Sequence, residues 1–170
     1  LVMGMPEVSG LDRWGPAEVD LDIVRQFSGA NYLETQTGFT GQGVRGECCD
    51  TGCYTSHVEF QHDGGVLLHG PNGSSTSHGT QVTGVVFGMG VNPQARGILP
   101  TGKIIFARYD DIYSGSKSRY THTAELVDPA GPYRGVFQTN SWGNPRTFFY
   151  TTISQEMDDI LFINNVIITQ

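Results

Sequence analysis

Residues 44–52 read Val44-Arg45-Gly46-Glu47-Cys48-Cys49-Asp50-Thr51-Gly52, and the fold turns on that run. Residues 44–49 form a strand, ended by the turn-forming Asp-Thr-Gly. Working outward, residues 22–31 read as a short helix with Asp22 at its N-cap, and 38–43 as a loop. Residues 62–77 are rich in Gly, Asn and Ser and read as a long surface loop, followed by a buried, small-residue helix at 80–87. Strands follow at 103–108, 136–140 and 166–169, with an amphipathic helix at 154–162 led by Ser154. Strands alternating with helices predict an α/β three-layer sandwich with a mostly parallel central sheet and helices on both faces. Residues 1–21 read as an irregular N-terminal segment, and 22–170 as one domain. Chemistry in such sheets gathers at the carboxyl ends of the strands. Asp50 and Asn140-Ser141 both lie where a strand ends.

Composition narrows the function. At 170 residues the chain is long enough for one domain with a real core. Seventeen acidic residues against ten basic ones give a net charge of −7, which disfavours a nucleic-acid partner. No apolar run reaches the ~18 residues needed to span a bilayer, so a membrane partner is not expected. The three cysteines, Cys48, Cys49 and Cys53, lack a C-x-x-C spacing and argue against a zinc site or a disulfide framework. Free thiols and a Cys49–Cys53 bridge both remain open. His57, His62, His69 and His122 show no metal-ligand spacing, and the stretch from His57 to His69 reads as solvated loop, so no metal ligands are assigned. Arg45 and Glu47 are unusual in a buried strand; they either sit at its exposed start or pair with neighbours.

Two motifs carry chemistry. Asp50-Thr51-Gly52 puts a carboxylate at a strand tip. Ser77-His78-Gly79-Thr80-Gln81-Val82-Thr83-Gly84 puts a histidine at the start of a helix, with Gly79 and Gly84 permitting close packing on the sheet. A histidine acting as general base needs a carboxylate to hold its tautomer and stabilise the imidazolium. The α/β topology can bring Asp50 and His78 together. Read alone, Asp-Thr-Gly would also suit an aspartic protease, but that needs two such carboxylates, and one copy is present.

Together these motifs resemble the subtilisin-like serine proteases, most closely their large alkaline-protease branch. The likeness runs through Gly41-Gln42-Gly43-Val44, Asp50-Thr51-Gly52, His57-Val58-Glu59-Phe60, the His78 segment, Ala95-Arg96-Gly97-Ile98-Leu99-Pro100 and Thr139-Asn140-Ser141-Trp142-Gly143. It implies an Asp-His-Ser triad hydrolysing peptide bonds, with Asp50 orienting and His78 as general base. It also implies that Ser141, Trp142 and Gly143 bind the peptide substrate as an added strand. The family's Gly-Thr-Ser-x-Ala nucleophile segment and its oxyanion-hole Asn do not occur in these residues. Residues 22–170 are thus expected to be the N-terminal portion of a catalytic domain. A second polypeptide, or a segment lost beyond Gln170, would supply the serine and the oxyanion Asn. The alternative is a catalytically inactive binding or regulatory relative. The resemblance further implies secretion, no cofactor for the chemistry, and structural calcium in some relatives; residues 89–94 are shorter than the calcium loop of several of these.

Overall fold

A computed structural model of the chain describes residues 21–113, 117–143 and 148–170. The irregular segment expected at 1–21 lies outside these residues, except for Leu21. Five strands form one sheet: β1 (Arg45–Asp50), β2 (Leu67–Leu68), β3 (Lys103–Arg108), β4 (Phe137–Asn140) and β5 (Ile167–Thr169). Their order is β2-β3-β1-β4-β5, and every pairing is parallel. The strand carrying Asp50 therefore sits in the middle, buried on both faces.

The alternation of β1 decides what each face receives. Gly46, Cys48 and Asp50 point one way, toward α3 (Ser77–Phe87). Cys48 packs there with Cys53, Phe60, Phe87, Ile104 and Phe106 in the main apolar core. The Phe137 ring lies over Gly46, where a Cβ would come within 2.0 Å of it. Glu47 and Cys49 point the other way, toward α5 (Arg119–Val127), which packs in turn on α6 (Thr152–Ile163). Helices cover both faces, and the three-layer arrangement is the one the strand–helix alternation predicts.

The local differences have physical causes. The helix expected at 22–31 is two helices, α1 (Leu21–Phe27) and α2 (Ala30–Thr37), broken at Gly29 with φ 78°. Helix α1 starts one residue ahead of Asp22. Arg25 joins the pair by bonding Glu34 and the Gly97 carbonyl, and Arg96 completes the ion cluster on Glu34 at 2.8 Å. Strand β1 extends one residue further than expected, so Asp50 is its last residue. The loop at 62–77 is not wholly surface: Leu67–Leu68 pair with Ile105 and Phe106 of β3. Two short helices went unread, α4 (Tyr109–Tyr113) and α5. Helix α6 begins at Thr152, because Thr151 rather than Ser154 is its N-cap; the two form a capping box.

Candidate active site

Asp50 and His78 meet as their motifs require. His78 Nδ1 lies 2.8 Å from Asp50 Oδ1. The same oxygen accepts the Thr51 backbone N–H at 2.7 Å and the Thr51 hydroxyl at 3.1 Å. The Asp50 side chain is 1% exposed and that of His78 54%. The carboxylate is thus fixed below the surface, while the imidazole presents its other nitrogen to solvent. No described residue bonds Asp50 Oδ2. An imidazole held by a buried carboxylate on one side and open on the other can accept a proton from a group arriving from outside.

The meeting depends on close backbone approach. A Cβ on Gly79 would lie 2.2 Å from the Gly52 carbonyl oxygen, so only glycine lets the first turn of α3 rest on the end of β1. Gly84, expected to serve the same purpose, faces open space, where a Cβ would meet nothing within 4 Å. On the other side of β1, Cys49 is paired with Asn140 of β4. The segment Ser141-Trp142-Gly143 leaves that strand beside Asp50, with Ser141 and Gly143 exposed. Trp142 Nε1 donates to the Cys49 carbonyl at 2.8 Å, tying the segment to β1 one residue before the aspartate. The Trp142 ring lies against Tyr109 at 5.3 Å and under the Arg119 guanidinium at 5.7 Å.

Cys48, Cys49 and Cys53 are free and buried. Burial pushes all three thiols up, that of Cys53 to about 11, so they stay protonated and inert at neutral pH. Residues 89–94 close over the Glu59 carboxylate. Gly90, Val91 and Asn92 donate their backbone N–H groups to the Glu59 carboxylate at 2.6, 3.1 and 2.9 Å. Inward-facing donors thus anchor this loop on an anion.

One constellation went unread in the sequence. Glu47 is fully buried, not at an exposed strand start, and pairs with side chains of neighbouring elements. Arg45 instead bonds the carbonyls of Tyr133 and Pro132. Glu47 Oε2 lies 2.6 Å from His69 Nδ1, and Oε1 lies 2.8 Å from His122 Nε2 and accepts Gln138 Nε2 at 2.6 Å. His69, expected in solvated loop, is 2% exposed, and His122 is 3% exposed. Their rings stack at 3.8 Å, with Tyr133 on the far face of His69 at 3.9 Å. Burial alone would raise the Glu47 pKa, but hydrogen bonds from His122 and His69 hold it down to about 2. The one available signal was a carboxylate in a strand flanked on both sides by buried positions. Nothing in the spacing of residues 47, 69 and 122 announces that they converge.

No protein-family model matches the sequence, and no curated protein matches it. Among solved structures, the crystal structure of MycP1 with the N-terminal propeptide removed matches with a TM-score of 0.52 and 19% identity. The match covers 85% of this chain and 47% of that one, so the chain spans about half of MycP1's length. The likeness in sheet and helix arrangement gives this chain a subtilisin-like α/β fold.

Proposed function

We propose that this chain is the Asp- and His-bearing half of a subtilisin-like serine endopeptidase. The observation that carries the reading is the 2.8 Å contact between buried Asp50 and half-exposed His78 at the carboxyl end of the central strand. In the reaction, His78 takes the proton of a serine hydroxyl as that oxygen attacks the scissile carbonyl, then returns it to the leaving amine. Asp50 holds Nδ1–H and stabilises the imidazolium. Ser141, Trp142 and Gly143 run beside the site and suit a peptide laid down as an added strand. The serine and the oxyanion-hole Asn are supplied by further polypeptide, within the same protein or as a second chain.

Packing supports that last step. Among the described residues strand β5 pairs with β4 alone, and Ile167 on it is 67% exposed. Phe162 and Ile163 at the end of α6 are 92% and 70% exposed. An apolar edge of this kind is where further strand and helix would be buried. Among the described residues no helix is long and apolar enough to cross a membrane; secretion belongs to the same proposal.

The test is fluorophosphonate labelling of the native preparation, followed by intact mass of every denatured polypeptide. Label on a serine outside these 170 residues, lost when His78 is changed to Ala, is the expected result. A complete assembly that takes no label would overturn the protease reading in favour of an inactive relative that binds peptide.

A further inference from the structure

We propose that Glu47, His69 and His122 form a binding site for one zinc-type divalent transition metal, on the face of the sheet opposite Asp50 and His78. The three residues each offer a ligand atom, and these atoms lie within 4.8 Å of one another. Two imidazoles and one carboxylate suit zinc and its neighbours in the first transition row, whereas calcium and magnesium prefer all-oxygen sites.

The surroundings carry the argument further than the three donors alone. A metal-ligating histidine characteristically gives its second ring nitrogen to a carboxylate, which fixes the tautomer and sharpens the ligand. His69 has that partner: its Nε2 lies 3.0 Å from Glu125 Oε2, and Glu125 is itself paired with Lys117. This arrangement leaves His69 Nδ1 as the ligand atom, facing Glu47. The Gln138 amide fixes the Glu47 carboxylate, and Tyr133 fixes the plane of the His69 ring.

The present N···O separations of 2.6 and 2.8 Å are hydrogen-bond distances. With each donor about 2.0 Å from a tetrahedral ion they would open to roughly 3.3 Å, and the stacked His69 and His122 rings would have to splay so that both in-plane lone pairs meet the ion. The metal would replace protons shared between carboxylate and rings, so binding releases protons and weakens as pH falls. Its three ligands come from β1, the segment after β2, and α5, so it would fasten the helix layer to the centre of the sheet.

The experiment uses the full chain, stripped with a chelator and titrated at neutral pH with zinc against a chromophoric competitor, and in parallel with Co²⁺. One zinc per chain is expected, together with visible Co²⁺ bands and no intense near-ultraviolet thiolate band from the cysteines. The Glu125→Gln variant, which leaves all three ligands in place, should bind 10–100-fold more weakly, and His122→Gln should lose stoichiometric binding. Absence of stoichiometric zinc, or a thiolate band, in the unsubstituted chain would overturn the proposal and leave a cluster held by protons. Unchanged affinity in a folded Glu125→Gln or His122→Gln variant would overturn it equally. The unsubstituted chain decides the matter by itself should a variant fail to fold.

Discussion

Strand β1 holds two carboxylate–histidine sites three residues apart, and they differ in one respect that decides their chemistry. At Asp50 the imidazole is half in solvent, and one carboxylate oxygen has no partner among the described residues. At Glu47 both oxygens are engaged, both histidines are buried, and His69 has carboxylates on both ring nitrogens. The same pair of residue types thus makes an open base at the strand's end and a closed knot in its middle. An odd separation along a strand sends the two side chains to opposite faces. Asp50 consequently meets α3 and Glu47 meets α5. The comparison teaches that access, not residue identity, separates the pair proposed for catalysis from the closed cluster.

On the protease reading proposed above, the largest effect should come from Asp50→Asn in the complete protein. The amide keeps the shape but loses the charge that holds His78 in the working tautomer. A fall in kcat of about 10⁴-fold is expected, with unfolding stability lowered by about 1–3 kcal/mol. Peptide-hydrolysis kinetics and denaturant melts on the same preparation check both halves. A large loss of stability at unchanged kcat would reverse the roles assigned to the two sites.

Glu47→Ala should do the opposite. It strands His69, His122 and Gln138 in a buried space without their common acceptor. Removing one partner of a buried ionic cluster costs about 3–5 kcal/mol, measurable as a lowered denaturant midpoint. Any loss of turnover should follow the unfolded fraction, since Asp50 and His78 keep all their contacts. A kcat loss in fully folded protein would place Glu47 in the catalytic machinery and end the contrast.

These two sites were unequally legible in the sequence. Asp50 and His78 sit in compact motifs because their positions depend on local backbone: a strand end, a turn and a glycine that admits a helix start. The strands at 44–49 and 103–108 follow from patterning, and their Cys48, Ile104 and Phe106 lie in the core. The Glu47 cluster joins residues 22 and 75 positions apart. It depends on β2, which is two residues long, and on α5, which was not recognised. Polar residues such as His122 and Thr123 form the buried face of α5, so no apolar stripe marked it. His69 was assigned to solvent because its flanks are glycine-rich, although its backbone N–H is anchored to the Phe106 carbonyl at 2.8 Å.

A third carboxylate, Glu59, sharpens the comparison because backbone N–H groups partner it. It is 7% exposed; burial would raise its pKa, but the N–H groups of Asn92, Val91 and Gly90 hold it below the usual carboxylate range. A depressed folded pKa means that this stabilisation is fully present above the unfolded value of about 4.3 and fades as pH drops through and below it. Glu59→Gln should cost about 2 kcal/mol at pH 7, and the gap to the parent chain should narrow between pH 5 and the acid limit. Parallel urea melts at pH 7 and pH 4 read it. A constant gap would mean that the loop at 89–94 does not depend on the charge.

The smallest effect concerns the residue between the two sites. The Cys49 carbonyl, whose neighbours on the strand lead to Glu47 one way and Asp50 the other, accepts the Trp142 indole N–H at 2.8 Å. Trp142→Phe removes that donor and keeps most of the ring. A single neutral hydrogen bond contributes about 1 kcal/mol, so the variant should stay folded and lose little stability. If the segment after β4 lies along the substrate, the loosened Ser141-Trp142-Gly143 run should raise KM for peptides while the fluorophosphonate labelling rate stays unchanged, because the small probe needs no extended strand. A slower labelling rate with unaltered KM would instead connect Trp142 to the Asp50 side of the strand, through the backbone they share.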